Sequence, residues 1–175
     1  YLRVRQEAVS LNVVGLFFES APDDPALSPD PRIRKSNIAR LRFYEHHGAR
    51  PIINTAYETP CAPGDDNPPY LMFDDLGQGE ALRRDAAKGI ARTILERKYR
   101  GYCPPEYVGM VVESFRDDPV RIRPPRYTAA TAGRLKLCAP PDKRIALTVN
   151  DRHAFHHVQE QGYVESPVRI DSISE

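Results

Sequence analysis

Residues 37–52 read NIARLRFYEHHGARPI, and the interpretation of the whole chain turns on them. Ser36 is a residue type that caps helices, Gly48 is one that ends them, and Pro51 cannot continue one, so the spacing predicts a short helix from Asn37 to His47 capped by Ser36. Its apolar members Ile38, Ala39, Leu41, Phe43 and Tyr44 form a broad stripe, which predicts packing on more than one side. Upstream, VVGLFF at Val13 to Phe18 is short, apolar and rich in β-branched and aromatic side chains, as a strand buried on both faces is, and it ends at polar Glu19 and Ser20. Downstream, Ile52 to Tyr57 reads as a second strand and Tyr70 to Phe73 as a third, separated by the turn-rich TPCAPGDDNPP.

Working outward, YLRVRQEAVSL at residues 1–11 places Val4, Ala8 and Leu11 at helical spacing, with Asn12 where the helix stops. Residues 21–36, APDDPALSPDPRIRKS, carry too many prolines and aspartates for a long regular element and predict an exposed loop. Glu80 to Tyr99 reads as a long helix with Ala86, Ile90, Ala91, Ile94 and Leu95 on one side. Pro104 and Pro105 suit the first turn of another, in which Val108, Val111, Val112 and Phe115 keep helical spacing, so the pair predicts a helical hairpin. From Arg116 to Lys143 there is no periodic pattern, only linker composition with Arg121, Arg123 and Arg126 among prolines. Ile145 to Val149 then begins a new buried strand. The expected fold class is α/β with mixed α+β character: a partial sheet with flanking helices, a helical hairpin and linker, then the first strand and helix of a further domain.

The chain has 175 residues and a net charge of +1, with 41% hydrophobic and 28% charged residues, which argues against a disordered acidic tail or a strongly basic nucleic-acid arm. No apolar run approaches the roughly 18 to 20 residues needed to cross a bilayer, and no signal-peptide pattern opens the chain, so the expectation is a soluble, cytoplasmic protein with no nucleic-acid or membrane partner. Cys61, Cys103 and Cys138 are odd in number and far apart, the pattern of free thiols. Proline supplies 17 residues in clusters that mark joints. The chain opens at Tyr1 without Met and closes at Glu175 in mid-pattern, which predicts a piece of a longer polypeptide.

Asn37 and Tyr44 are seven apart, two helical turns, and so share a face from which both can address one elongated ligand. The structural alternative is that Asn37 helps start the helix, Tyr44 packs with its hydroxyl at a boundary and Gly48 ends the helix. The stretch also resembles the last motif of the GNAT family of N-acetyltransferases, N-x-x-A-x-x-x-Y-x-x-x-G-F, with Asn37, Tyr44 and Gly48 in place and with Arg40 and Ala49 departing from the usual Ala and Phe. The resemblance covers about residues 1 to 75, the C-terminal half of that fold. The family's pyrophosphate loop, Q/R-x-x-G-x-G/A, does not occur in the chain and is expected before Tyr1.

The resemblance implies acetyl-CoA as co-substrate and a small-molecule amine or lysine-containing substrate that attacks the acetyl carbonyl directly, with Tyr44 protonating the departing thiolate. A phenol suits that task, since its pKa of about 10 keeps it protonated at neutral pH. It further implies that Asn37 holds the pantetheine arm or orders the loop beside it. Glu19, at the strand exit, is the candidate base or water-holder, the alternative being an ordinary strand-end carboxylate. Asp23 and Asp24 are candidates for attracting a cationic amine, against a solvated loop pair. Arg32, Arg34 and Lys35, with Arg40 and Arg42, are candidates for CoA phosphates, against a solvated basic face.

His153, His156 and His157 with Asp151 invite a zinc reading, but no cysteine or carboxylate completes a familiar ligand set, so no metal site is expected in this chain. From Arg144, RIALTVNDRHAFHHVQEQGYVESPVRIDSI resembles the opening of the zinc-dependent deacetylases of the acetylpolyamine amidohydrolase and histone deacetylase group, whose early H-P-E-x-P-x-R motif is matched by Glu165, Pro167 and Arg169, with Tyr163 and Val164 replacing His-Pro. The resemblance implies that any zinc ligands belong to the remainder of that domain. Together the expectations divide the chain into 1–77, the C-terminal half of an acetyltransferase domain; 78–143, a helical connector without chemistry of its own; and 144–175, the start of a deacetylase-like domain. Two other readings stand beside this one: a parent that acts mainly as a deacetylase with the front half regulatory, and a piece that links or docks without catalysis.

Overall fold

The computed structural model describes residues 1–62 and 68–128. In chain order they form helix α1 (Leu2–Ser10), strand β1 (Leu16–Ser20), helix α2 (Pro31–His46), strand β2 (Arg50–Pro51), strand β3 (Tyr70–Asp74), and helices α3 (Arg84–Lys98) and α4 (Pro105–Glu113). The three strands make one sheet in the order β1-β3-β2, with β3 antiparallel to both neighbours. The chain is therefore mixed α/β. The expected strand at Ile145 to Val149, the three histidines, Cys138 and the whole deacetylase-like segment lie outside the described residues.

Alternation along the strands decides which helix covers which face. Phe18 sits opposite Met72 and points to one side, while Glu19 sits opposite Leu71 and points to the other. On the first side Tyr70 and Met72 pack with Leu41 and Ala49, flanked by Phe18 and Tyr44, so α2 lies here. On the second side Leu71 and Phe73 join Ala87, Ala91 and Leu95 of α3 and Val108, Val111 and Val112 of α4, with Phe115 and Val120 beyond the helices. A fully buried side chain of this kind stabilises by about 1.5–3 kcal/mol, which makes the second cluster the larger hydrophobic anchor. It draws on residues both before and after position 77, so one core spans the expected boundary between acetyltransferase half and connector.

Several element boundaries differ from expectation for identifiable reasons. Strand β1 starts at Leu16 rather than Val13 and runs through Glu19 and Ser20. Asn12 turns the chain with φ of 53°, Val13 is buried against Ala8 and Leu76, and Gly15 passes so close to β3 that a Cβ there would sit 2.5 Å from the Asp74 carbonyl oxygen. Helix α2 begins at Pro31, six residues before Asn37. Its cap is Asp30, whose side chain accepts the Arg32 N–H at 2.8 Å, and Pro31 brings a backbone already set for the first turn. Ser36 is thus an interior residue and not the cap, and the loop is shortened to 21–30 and is not exposed throughout, since Pro22, Asp23 and Ser28 are buried. Gly48 does end the helix, with φ of +99°.

The expected second strand, Ile52 to Tyr57, is reduced to Arg50–Pro51 plus a single bridge at Ile52, because Asn54 at φ of 65° turns the chain away. Helix α3 starts at Arg84 rather than Glu80, where the distant Asp118 accepts the Arg84 N–H at 3.2 Å. Residues 116–128, expected as linker, form a strap along β2: Ile122 bridges Ile52, Ile53 N donates to Arg121 O at 2.9 Å, and Arg123 N donates to Pro51 O at 2.9 Å. No helix among the described residues is long and apolar enough to cross a membrane.

Candidate functional site

On the α2 face, Tyr44 packs against the sheet side while Asn37, two turns earlier on the same helix, meets the 21–30 loop. Asn37 is buried, and its Nδ2 donates to Pro22 O at 2.8 Å and to Ser28 Oγ at 3.4 Å. It orders the 21–30 loop beside the helix. Tyr44 is half-buried in an aromatic cluster, edge-on to Phe18 at 4.8 Å and to Tyr1 at 5.2 Å between ring centroids, with Phe43 at 5.6 Å.

The loop that Asn37 holds carries Asp23 into a buried polar node. The Asp23 side chain is 1% exposed. Its Oδ1 accepts Tyr70 Oη–H at 2.8 Å and Arg123 Nη1–H at 2.9 Å, and its Oδ2 accepts Arg126 Nη1–H at 3.1 Å and the Tyr127 hydroxyl. Burial alone would raise this carboxyl, but the hydrogen bonds from Tyr127 and Tyr70 and the Arg123 charge outweigh it and pull the pKa down to about 2. Asp23 is consequently charged and saturated. Asp24 beside it is exposed and spends Oδ1 on the Ala26 N–H at 2.8 Å, a local turn contact.

One helical position beyond Tyr44, Glu45 anchors the end of the strap. It accepts the consecutive backbone N–H groups of Arg126, Tyr127 and Thr128 at 2.7–3.0 Å and the Thr128 hydroxyl at 3.0 Å. Burial works to raise its pKa, and these donors more than offset it, leaving the carboxyl below its ordinary value. The strap is therefore fastened by two carboxylates from two different segments, Asp23 through its side chains and Glu45 through its backbone.

Glu19 is elsewhere. It projects to the α3–α4 side, where Oε1 accepts Tyr57 Oη–H at 2.7 Å and Oε2 accepts Lys98 Nζ at 2.5 Å and Tyr99 Oη–H at 2.8 Å. Its side chain is 7% exposed, and the Tyr57 hydroxyl is pushed well above its ordinary value by burial and by the Glu19 charge. The sheet thus separates Glu19 from Tyr44, and the pair expected to act together does not meet. A third buried carboxylate, Asp74, takes Tyr1 Oη–H at 2.5 Å, Arg5 Nε–H at 2.9 Å and the Leu76 N–H at 2.8 Å.

Of the basic residues assigned to phosphate, Arg32 and Lys35 are exposed in the first turns of α2, whereas Arg34 turns back to Ser28 O at 2.8 Å and Pro29 O at 3.2 Å. The helix terminus itself is closed by the Asp30 carboxylate, so any phosphate contact here falls to the side chains of Arg32 and Lys35. Two cavities of about 210 and 230 Å³ lie away from these groups, the first between the end of α3 and the start of α4 and the second beside Gly48, Phe73 and Val120; neither is lined by Glu19, Asp23 or Tyr44. Among the described residues no group of three or more His, Cys, Asp or Glu is arranged to hold a metal ion.

Sequence reasoning singled out Glu19, Asp23 and Asn37 but missed Glu45, Tyr70, Lys98 and Tyr127, and named Arg123 and Arg126 only as linker residues. The one available signal was the excess of arginines among the prolines of 121–126, which need counter-charges if they do not stay in solvent. Compared with protein-family models, curated proteins and solved structures, the chain matches none.

Proposed function

We propose that this chain supplies the C-terminal part of a GNAT-type N-acetyltransferase unit that acts on an amine or lysine-like group, within a polypeptide that continues into a deacetylase-like domain. The observation that carries the reading is the β1–α2–β2 unit, in which Asn37, Tyr44 and Gly48 of the N-x6-Y-x3-G spacing stand on one helix: Asn37 ordering the adjoining loop, Tyr44 half-buried against β1, and Gly48 ending the helix at φ of +99°. In this reading the amine nitrogen attacks the acetyl carbonyl carbon of the thioester, the carbon–sulfur bond breaks, and Tyr44 Oη–H gives its proton to the departing sulfur. Arg32 and Lys35 meet the phosphates of acetyl-CoA, and the exposed Asp24 draws in the cationic amine. Asn37 and Asp23 act on the loop, and Glu19 holds α3 to β1, leaving proton removal from the amine to a group other than Glu19.

A second reading, a non-catalytic regulatory or linking region of a zinc-dependent deacetylase, is favoured by the consumption of Glu19, Asp23 and Glu45 in contacts with residues 98–128. Titration calorimetry with acetyl-CoA, on this chain and on the polypeptide extended upstream of Tyr1, separates the two. Binding by the extended polypeptide, with turnover that Tyr44→Phe removes, is the result expected from the first reading. Absence of binding by both would discard it in favour of the second.

A further inference from the structure

The turn after β2 and the loop between α3 and α4 are fastened to each other by two contacts. Tyr107 Oη–H, in the first turn of α4, donates to Thr59 O at 2.6 Å. Cys61 Sγ–H donates to Tyr102 O at 3.6 Å, between residues 41 positions apart. The residue that follows this carbonyl is Cys103. Both thiols are reduced and half-buried, so the fold brings together two cysteines that stand far apart in the sequence.

Bond geometry bounds how far apart they are. A carbonyl oxygen lies about 2.8 Å from the Cα of the following residue across a trans peptide, which places Cys61 Sγ within about 6.4 Å of Cys103 Cα. Disulfide-bonded cysteines stand about 4.4–6.8 Å apart at Cα, so side-chain rotation with a shift of the turn by about 1–2 Å closes the pair. Cys103 is held on its side by the backbone: Tyr102 N and Cys103 N both donate to Tyr99 O, at 3.0 and 3.1 Å, where Gly101 turns the chain at φ of +75°. The two thiols are unequal. Cys61 directs its S–H at the Tyr102 carbonyl, whereas Cys103 stands just before α4 and lines the cavity of about 210 Å³ together with Arg92, Glu96 and Arg100, a net positive set beside a helix start, the kind of setting in which cysteines react.

We propose that Cys61 and Cys103 are a redox pair, which a small disulfide oxidant such as glutathione disulfide closes reversibly into an intramolecular bond. The Cys103 thiolate attacks one sulfur of the oxidant, the oxidant's S–S bond breaks, and one glutathione thiolate leaves. Cys61 gives its proton to solvent and attacks the Cys103 sulfur of the mixed disulfide, and the second glutathione thiolate leaves. The protein loses two protons and two electrons, and glutathione disulfide takes them up as two thiols. The new bond spans the stretch that contains β3 and α3. It ties the turn carrying Tyr57 to the end of α3 carrying Lys98 and Tyr99, the three residues that hold Glu19, so oxidation tightens that node from both sides. The pair is independent of the acetyl-transfer reading, since no step of it involves Tyr44 or acetyl-CoA.

The test uses the full chain carrying Cys138→Ser, which leaves these two thiols as the only ones. It is incubated with mixtures of glutathione disulfide and glutathione, alkylated, and mapped by peptide mass spectrometry. The expected product is a monomer lighter by two hydrogens, in which the peptides holding Cys61 and Cys103 are joined, the thermal midpoint is raised by about 5–10 °C, and dithiothreitol restores the starting protein. Adding Cys61→Ser should halt the reaction at a mixed disulfide on Cys103 with no rise in midpoint. In unfolding urea the same mixture should yield about 10-fold less of the joined product, because the fold supplies the proximity. Separate glutathione adducts with no joined peptide, a bond formed only between chains, or equal yields from folded and unfolded chain overturn the proposal. A joined product whose midpoint is unchanged or lower also counts against it, since the bond would then be forced on the fold.

Discussion

Glu19 and Tyr44 stand on opposite faces of the same sheet, Glu19 bonded to Lys98 at 2.5 Å on the α3–α4 side and Tyr44 packed on Phe18 at 4.8 Å on the α2 side. The two are separated by the pleat of a single strand, since Phe18 and Glu19 are adjacent in β1 and adjacent strand residues point to opposite sides. Glu19 therefore belongs to the packing of α3, and its removal should be felt as a loss of stability. Glu19→Ala leaves Lys98 facing two tyrosine hydroxyls with no counter-charge, and should lower the free energy of unfolding by about 3 kcal/mol in urea titrations. Combining Glu19→Gln with Lys98→Met should cost less than Glu19→Ala alone, because no lone charge then remains. Equal or greater loss in the double variant would refute the pairing argument.

Asp23 makes stability depend on acid in a defined window. The unfolded chain takes up a proton at the ordinary value of 3.8, whereas the folded chain resists until about 2. Between these values the unfolded state binds more protons, so stability is fully present above about 4 and falls as pH drops through 2. Asp23→Asn should flatten the curve across that interval, and it should also cost about 3 kcal/mol at neutral pH by leaving the buried Arg123 charge uncompensated. Thermal unfolding of both proteins between pH 1.5 and 7 measures both effects.

Glu45 should control the end of the strap without unfolding the rest. Glu45→Gln keeps the shape but replaces a charged acceptor by a weaker one with a donor in place of one oxygen, so the amides of Arg126, Tyr127 and Thr128 should exchange with solvent roughly 10-fold faster, corresponding to about 1.4 kcal/mol. Exchange in β3 should not change. If the three amides keep their wild-type rates, Glu45 is not their anchor.

Gly15→Ala tests the close passage of the chain over β3. The added Cβ would sit 2.5 Å from the Asp74 carbonyl oxygen and from an atom of the Phe73 ring, and backbone cannot retreat as a side-chain tip can. A destabilisation of about 2 kcal/mol is expected, typical of overpacking, with calorimetry as the readout. Gly89→Ala, which meets nothing within 4 Å inside α3, should by contrast be neutral or stabilising by up to about 1 kcal/mol.

Tyr44→Phe in the extended polypeptide should lower acetyl-transfer turnover about 100-fold while leaving acetyl-CoA affinity and the unfolding temperature close to wild type. The small structural effect follows from Tyr44 meeting its aromatic neighbours through the ring, which Phe retains. Undiminished turnover would take Tyr44 out of the reaction.

The parts of the fold legible in the sequence are those set by local pattern. The periodicity of Val4, Ala8 and Leu11 marks α1, the four apolar residues from Tyr70 mark β3, and the prolines followed by Val108, Val111 and Val112 mark α4. The start of α2 was also written locally, in Asp30-Pro31, but Ser36 offered a competing cap closer to the apolar stripe. What escaped is what long-range charge pairing organises. The strap has no period to detect, and the partners of Asp23, Glu45 and Glu19 lie 38 to 104 positions further along the chain. Asp23 and Glu19 could be singled out as unusual carboxylates, but nothing in their neighbourhoods says that an arginine-proline segment and the end of α3 would claim them.

The Tyr127–Asp23 bond joins residues 104 positions apart, and that separation has a consequence for how the molecule comes into being. Contacts so distant are formed only after a large loop-closure cost has been met, and they are late events in folding. On the ribosome, β1 and the 21–30 loop emerge long before residues 123–127, so the Asp23 carboxylate waits in water, ionised and unpaired, until the strap is synthesised. A stretch made later is thus the one that completes the interior of an earlier one, and a chain interrupted before Arg123 would carry α2 and its aromatic cluster with the polar node still open.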